Sequence, residues 1–190
     1  LLYISLFSLL FSSCVMKELY EETEIPVTKL AVQINWDEII GENKPQKLTV
    51  SINGNKFEVN DGNQLDTIEV EPGNYEIYVY NTPADISIND NIIKIDTITS
   101  SGNVKPNPGD FYSATENVDV TINTTTEVDI TPIKRTRKLT IITLITGLAD
   151  TIKVQSVSGV LNYVSSSFDI KANKEEGSKP VDLSFLADTF

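Results

Sequence analysis

The stretch KLTVSINGNKFEVN, residues 47–60, decides the fold class. At its centre stands Asn53-Gly54, a pair typical of a type I′ turn because both central residues of that turn take a positive φ. A hairpin that turns there brings four apolar side chains onto one face, in agreement with the two-residue period of both strands. The expected cross-strand pairs are Val50 with Phe57 and Leu48 with Val59. Turn chemistry and hydrophobic pattern therefore predict the same antiparallel hairpin.

The two-residue period continues on both sides of this hairpin. In the strand before it, the apolar residues that alternate with polar ones are Leu30, Val32, Ile34 and Trp36. After it, Pro72-Gly73 suits a type II turn and predicts a second hairpin, roughly from Gln64 to Tyr80. The expected pairs in that hairpin are Val70 with Tyr75 and Ile68 with Ile77.

Three further strands are predicted before residue 133. One runs from Asn91 to Thr99, and a turn at Thr124-Thr125 joins the other two into a hairpin. The apolar residues of that hairpin are Val118, Val120 and Ile122, followed by Val128 and Ile130. No segment here has a sustained 3.6-residue period, so the predicted class is all-β. Seven or eight short strands over residues 28–133 match one antiparallel β-sandwich of immunoglobulin-like size.

A second β-sandwich domain is expected to begin at residue 134 and to run, incomplete, to residue 190. The segments KLTIITLITG and TIKVQSV, residues 138–147 and 151–157, predict two strands joined around Gly147 to Asp150. A serine-rich stretch follows from Ser156 to Ser167. A basic cluster opens this region and is interpreted as a solvated linker or strand edge. Its members are Lys134, Arg135, Arg137 and Lys138.

The N-terminal stretch LLYISLFSLLF is apolar and eleven residues long, whereas a bilayer needs about 20 residues. Its length is typical of the apolar region of a secretory signal, so residues 1–13 are interpreted as a partial signal peptide. The string LFSSC resembles a bacterial lipobox, and Cys14 is therefore the expected acylation site. Two or more acyl chains hold a protein stably in a membrane. The alternative is a buried cysteine at the end of a truncated membrane helix.

Residues 14–27 are polar and acidic and have no apolar periodicity. They are predicted to form a lipidated tether. A lysine followed by acidic residues close behind the lipid cysteine resembles the signal that sends lipoproteins of some Gram-negative anaerobes to the outer face of the outer membrane. An ordinary solvated linker is the alternative.

Composition narrows the classes of function. The chain of 190 residues has 15 basic and 27 acidic side chains, and its formal charge of -12 would repel nucleic acid. The sequence has no histidine, which excludes a Ser-His-Asp triad and a His-ligated zinc. Its single cysteine excludes an internal disulfide. We expect no nucleic-acid partner and no cofactor.

Acidic residues fall mostly on the polar phase of strands or in turns, and their spacing singles out no catalytic pair. The loop of residues 60–63, with Asp66 nearby, contains oxygen ligands of the kind that calcium prefers. A plain turn is the alternative use of such a loop. We therefore expect no catalytic residue and no metal site.

Aromatic side chains are the candidate ligand-binding residues. Tyr78 and Tyr80 share the face of their strand opposite Tyr75 and Ile77, and Trp36 precedes an acidic turn. Aromatic rings with one apolar and one polar end can serve as platforms for sugars or peptides. The alternative is a strand that is covered on both faces, which has the same pattern.

Together these motifs resemble the fimbrillin-type surface lipoproteins, which include minor and anchor subunits of type V pili and related cell adhesion lipoproteins. The resemblance rests on the lipobox cysteine, the acidic tether, INWD at 34–37, EPGNYEIYVYN at 71–81 and LTIITLITG at 139–147. It implies two transthyretin-like β-sandwich domains. It also implies assembly with other pilus subunits by β-strand exchange, in which backbone hydrogen bonds supply affinity.

Shaft subunits of that family are released for polymerisation by cleavage after an arginine in the N-terminal region. Here no arginine lies between Cys14 and Arg135, and a cut at Arg135 or Arg137 would sever the two domains. The resemblance therefore implies a non-enzymatic, lipid-anchored protein on the surface of the outer membrane, acting as an anchor or accessory subunit of a fimbria. The alternative function is a surface glycan-binding lipoprotein of a polysaccharide uptake system, and a carboxylate-dependent hydrolase is a third.

Overall fold

The computed structural model describes residues 27–37, 44–60, 63–144, 146–147 and 154–186. All regular structure within these ranges is β-strand. The strands are β1 Lys29–Ile34, β2 Lys47–Ile52, β3 Asn55–Asn60, β4 Gln64–Glu69, β5 Gly73–Tyr80, β6 Ile86–Asn89, β7 Ile92–Ile95, β8 Tyr112–Val120, β9 Thr125–Ile130, β10 Ile133–Lys134, β11 Ser156–Asp169 and β12 Lys174–Leu186. The protein is therefore all-β, as the sequence predicts.

The hairpin at Asn53-Gly54 is confirmed, register included. Asn53 has a φ of 46° and Gly54 a φ of 88°, as a type I′ turn requires. The ladder between β2 and β3 pairs Val50 with Phe57 and Leu48 with Val59. Local turn chemistry and the alternating pattern agree here, so the register could be predicted from this stretch alone.

Two sheets packed face to face form a β-sandwich. One has the strand order β4-β1-β9, and the other has the order β10-β8-β5-β2-β3. Their inner faces share one hydrophobic core, and the side chains that are completely shielded from solvent there are Leu30, Val32, Val50, Ile77 and Val79. The alternation seen in the sequence places these residues inward because successive side chains of a strand point to opposite faces.

The second predicted hairpin, around Pro72-Gly73, is wrong in its pairing. β4 pairs with β1 in one sheet, whereas β5 pairs with β2 and β8 in the other. The chain crosses between the facing sheets at residues 70–72, and Gly73 has a φ of 153° in place of the +80° or so of a type II turn. Both arrangements turn apolar side chains toward the same core, so the hydrophobic pattern alone does not distinguish them.

The predicted hairpin at Thr124-Thr125 is corrected in the same way. Its two strands exist, but β8 pairs with β5, and β9 lies parallel to β1 in the opposite sheet, with Val128 beside Val32. The strand expected from Asn91 to Thr99 is shorter, since β7 ends at Ile95, and it forms a hairpin with β6, which the sequence did not predict.

A third sheet, of order β12-β11-β7-β6, covers part of the outer face of the five-stranded sheet. A second buried cluster lies between them, formed by Tyr78, Tyr80, Ile86, Ile93, Phe111 and Ile170. Successive residues of β5 therefore enter two different cores, because this strand is covered on both faces. The long hairpin of β11 and β12, residues 156–186, is called the ribbon below.

The ribbon lies partly where the sequence predicted other structure. The described residues 138–144 of KLTIITLITG carry no strand, whereas the serine-rich stretch from Ser156 forms most of β11. The remaining residues of that expected hairpin, 145 and 148–153, lie outside the described residues. The division into domains at residues 28–133 and 134–190 stays a prediction.

The turn between β11 and β12, at residues 170–173, is held to the sandwich by polar contacts. Lys171 Nζ donates to both carboxylate oxygens of Glu76 on β5, at 2.8 and 2.7 Å, and the Tyr78 hydroxyl donates to the same carboxylate at 2.9 Å. Nearby, the Ile170 amide donates to the Asn91 carbonyl at 2.9 Å, and the Thr115 hydroxyl donates to the Ile170 carbonyl.

These contacts predict a pH-dependent attachment of the ribbon. Hydrogen bonds from Lys171 and Tyr78 hold the pKa of the Glu76 carboxyl below its ordinary value of 4.5. A depressed folded-state pKa stabilises the attachment above pH 4.5, and that stabilisation is lost as the pH falls through the folded-state value. We expect the Ile170 amide to exchange its proton with solvent faster, relative to its intrinsic rate, when the pH is below the folded-state pKa of Glu76. Glu76→Gln should give the faster exchange at pH 7 already.

Glu58→Gln is the matched control. Glu58 also accepts from a lysine, Lys47, at 2.8 Å, but it lies on β3, and both side chains of that pair are largely exposed. We expect this variant to leave the exchange of Ile170 unchanged. Equal exchange of Ile170 in Glu76→Gln and in the parent protein would show that the ion pair does not hold the ribbon.

Candidate functional site: the exposed face of the ribbon

The predicted acylation site, Cys14, lies outside the described residues, as do the expected signal peptide and the tether up to residue 26. The described chain begins at Val27 and enters β1 two residues later. Lipidation of Cys14 therefore stays a prediction. In the part of the chain that the structure describes, no helix is long and apolar enough to cross a membrane.

The three aromatic residues predicted to bind a ligand are buried. Trp36 is 3% exposed and packs edge-on against Tyr112, with ring centroids 5.6 Å apart and an angle of 82° between the rings. Tyr78 and Tyr80 lie on the outer face of β5, but the third sheet covers that face. These side chains do not form an exposed platform, and the structure supports the alternative of a strand covered on both faces.

Acidic side chains do not gather into a cluster of metal ligands within the described ranges. Asp61 and Gly62 of the loop considered for calcium lie outside those ranges. Other carboxylates form ion pairs with lysines. Lys105 Nζ, for example, lies 2.5 Å from Asp85 Oδ1 and 3.9 Å from Asp96 Oδ2. These ion pairs link neighbouring loops, and their geometry does not indicate a catalytic role.

The basic cluster is partly structural. Ile133 and Lys134 form β10, the edge strand of the five-stranded sheet, in agreement with the strand-edge interpretation. Arg135 is half-buried: its Nε donates to the Ser113 hydroxyl at 3.0 Å, and its guanidinium lies 4.8 Å from the centre of the Phe168 ring. Burial lowers the pKa of Arg135. Arg135 therefore joins the ribbon to β8 and is shielded from solvent more than the exposed Arg137.

One edge of β11 is open over most of its length. β12 runs along the other edge, but β7 pairs only with residues 167–169. Within the described ranges, no strand pairs with residues 156–166 on that side. Such an edge presents a row of backbone donors and acceptors that an additional strand can satisfy.

An exposed apolar segment precedes the ribbon. Residues 139–144, LTIITL, are rich in β-branched side chains yet form no strand, and Ile142 is 88% exposed. Uncharged segments of this kind pair readily with other strands. The open edge of β11 and this segment are thus two features suited to contacts through backbone pairing.

Tyr163 is the aromatic side chain that the ribbon displays. It is 89% exposed, and every other aromatic side chain whose burial the structure describes is buried or half-buried. It lies in a β-bulge of β11, where Asn162 and Tyr163 together oppose Pro180 of β12. Sequence reasoning missed this residue because it assigned the serine-rich stretch no structure.

Solved structures of other bacterial proteins are similar to this fold. A candidate adhesin from Bacteroides ovatus shares the fold with a TM-score of 0.56 at 16% identity, over 84% of this chain and 62% of that chain. A candidate polysaccharide-binding protein (DUF1812) from Bacteroides thetaiotaomicron has a TM-score of 0.57 at 10% identity, over 82% of this chain and 64% of that chain. A candidate adhesin from the same species has a TM-score of 0.48 at 11% identity, over 87% and 73%.

At these identities the likeness shows the fold alone. This chain spans less than two thirds of the length of the first two of those proteins. No family model and no curated protein matches the chain. The first two comparisons thus define the fold class, the β-sandwich described above.

Proposed function

We propose that this protein acts at the bacterial cell surface in adhesion, held in the outer membrane by a lipid on Cys14, as an anchor or accessory subunit of a fimbria. The open edge of β11 carries the proposal, because an extended strand of another subunit can add to it through backbone hydrogen bonds. The fold shared with a candidate adhesin supports the proposal. No residue is proposed to be catalytic.

The exposed segment at residues 139–144 is the second part of this proposal. An assembly based on strand pairing needs an accepting edge and a donated strand, and this segment has the length and β-branched composition of a strand. Burial of its apolar side chains in a neighbouring subunit would stabilise the contact, because each large aliphatic side chain contributes about 1.5–3 kcal/mol on full burial.

The test of this function uses filaments sheared from cells that make the full-length protein. We expect mass spectrometry to find the protein in the filament fraction and in the outer-membrane fraction of the parent strain. Cys14→Ala removes the thiol that accepts the lipid, so the filaments should detach into the medium or lengthen. Ser8→Ala, a change in the predicted signal that leaves this thiol intact, is the matched control and should behave as the parent. A protein that stays at the surface but is absent from every filament would contradict the fimbrial role.

A second candidate function is glycan binding by a surface lipoprotein. Tyr163 favours it, since an exposed ring can stack on a sugar, whereas the aromatics first considered for this role are buried. One of the solved structures with this fold is that of a candidate polysaccharide-binding protein. Tryptophan fluorescence would not test this function well, because Trp36 lies in the core and does not reach the exposed face of the ribbon.

A further inference from the structure

Tyr163 has an unfavourable backbone conformation for its residue type. Its φ is 61°, in the left-handed region where a Cβ approaches the following carbonyl oxygen. Asn and Asp tolerate this region better than bulky side chains. Among the described residues, the other non-glycine residues with positive φ are Asn53, Asp85, Asp90, Asn107, Asn123 and Asn173. All of these are Asn or Asp, and Tyr163 is the exception.

The bulge lies opposite Pro180, whose carbonyl accepts from the Val104 amide at 3.0 Å on the other edge of β12. Nothing in that arrangement requires a tyrosine at residue 163. Asn162, a residue type that tolerates a positive φ, lies directly before the strained position, which Tyr163 occupies. Packing does not compensate Tyr163 for the strain, because its side chain lies almost fully in solvent. Strain of this kind at an exposed residue points to a contact made outside the chain.

The composition of β11 indicates the chemistry of that contact. Residues 156–168 contain no charged side chain, although charged residues make up 22% of the chain, and five of these thirteen residues are serine. Serine side chains are depleted in the interfaces between proteins, so the side chains around Tyr163 favour a ligand other than a protein, whereas the edge of β11 offers backbone groups to an added strand. Hydroxyl and amide groups around one aromatic ring suit a polyhydroxyl ligand that also has an apolar face. The formal charge of -12 disfavours an acidic ligand.

We propose that Tyr163 stacks on a sugar ring of an uncharged polysaccharide and that Asn162, on the same bulge, hydrogen-bonds to its hydroxyl groups. This inference rests on the second candidate function and names its contact residue and its class of ligand. A tyrosine side chain has only two rotatable χ angles, so little conformational entropy is lost when the sugar binds.

The test is affinity electrophoresis of the full chain in gels that contain amylopectin, galactomannan or laminarin. We expect at least one of these neutral polysaccharides to retard the parent protein. Tyr163→Asn places at the strained position the residue type found at the others, so the melting temperature should stay the same or rise. Its affinity should nevertheless fall by about tenfold or more, whereas Tyr163→Phe, which keeps the ring, should remain within about threefold of the parent.

Val160→Asn is the matched control, because Val160 is an exposed apolar residue of the same strand outside the bulge. It should bind as the parent does. Retardation that persists in Tyr163→Asn would overturn the assignment of Tyr163 and leave glycan binding in place. A parent protein that none of the three polysaccharides retards would overturn both. A lower melting temperature for Tyr163→Asn would show that the tyrosine has a structural role, and loss of filament incorporation without loss of retardation would identify a protein contact.

Discussion

Replacing Trp36 with alanine is expected to lower the free energy of unfolding by about 3–5 kcal/mol, the usual cost of removing a large aromatic side chain from a packed core. Trp36 follows β1 and lies in the sandwich core, where its ring meets the edge of Tyr112. The truncation removes that aromatic pair and leaves a cavity that neighbouring strands can fill only in part. Urea unfolding followed by far-UV circular dichroism measures the effect, since the variant lacks the only tryptophan of the chain.

Ile142→Ala is the control for this prediction. It also removes a large apolar side chain, but from a residue that stands in solvent, so the change should stay within about 0.5 kcal/mol. A loss of less than about 1 kcal/mol for Trp36→Ala would mean that Trp36 does not lie in the core. The surface role first considered for this residue would then regain support.

Asn81→Ala is expected to cost about 2–4 kcal/mol, because a buried backbone N–H and a part-buried backbone carbonyl lose their partners together. Asn81 directly follows β5 and is 6% exposed. Its Oδ1 accepts from the Tyr112 amide at 2.7 Å, and its Nδ2 donates to the Asp110 carbonyl at 2.8 Å. The side chain thus joins the end of β5 to the start of β8, and alanine can satisfy neither backbone group.

Asn74→Ala tests whether the cost comes from burial. Asn74 Nδ2 also donates a hydrogen bond, to Asp119 Oδ1 at 2.9 Å, but that pair is exposed and water can replace the lost partner. Thermal or chemical unfolding should place Asn74→Ala within about 1 kcal/mol of the parent. Similar losses for the two asparagine variants would contradict the buried role of Asn81.

The fold was predictable from sequence where short-range chemistry decides it. Asn53-Gly54 allows one tight turn, and the residues on either side then pair without further information. The partners of β4 and β9 were not predictable in this way. Their apolar residues face the sandwich core from either sheet, so the pattern identifies the strands and their inward faces but not their neighbours.

The candidate functional residues also differ in whether short-range sequence could predict them. A lipobox is a contiguous motif, so Cys14 could be identified as a candidate from the sequence alone. Tyr163 could not, because its bulge exists only through the pairing of β11 with β12, where the residue opposite it, Pro180, stands seventeen residues further along the chain. In the sequence, Tyr163 is marked only by an Asn-Tyr pair within a serine-rich, uncharged stretch. This pattern indicates an exposed aromatic residue only when the pairing of β11 with β12 is known.

The position of β1 in its sheet determines how the molecule bears mechanical load. The chain enters β1 from Val27, and β1 is flanked by β4 on one side and β9 on the other. A pull directed along β1, out of its N-terminal end, loads the ladder hydrogen bonds in shear, because these bonds run across the strand. Tension is therefore shared by both ladders, which must shear together, while an edge strand pulled sideways would peel away one bond at a time. A molecule tethered through this end can resist rapid pulling even where its equilibrium stability is modest.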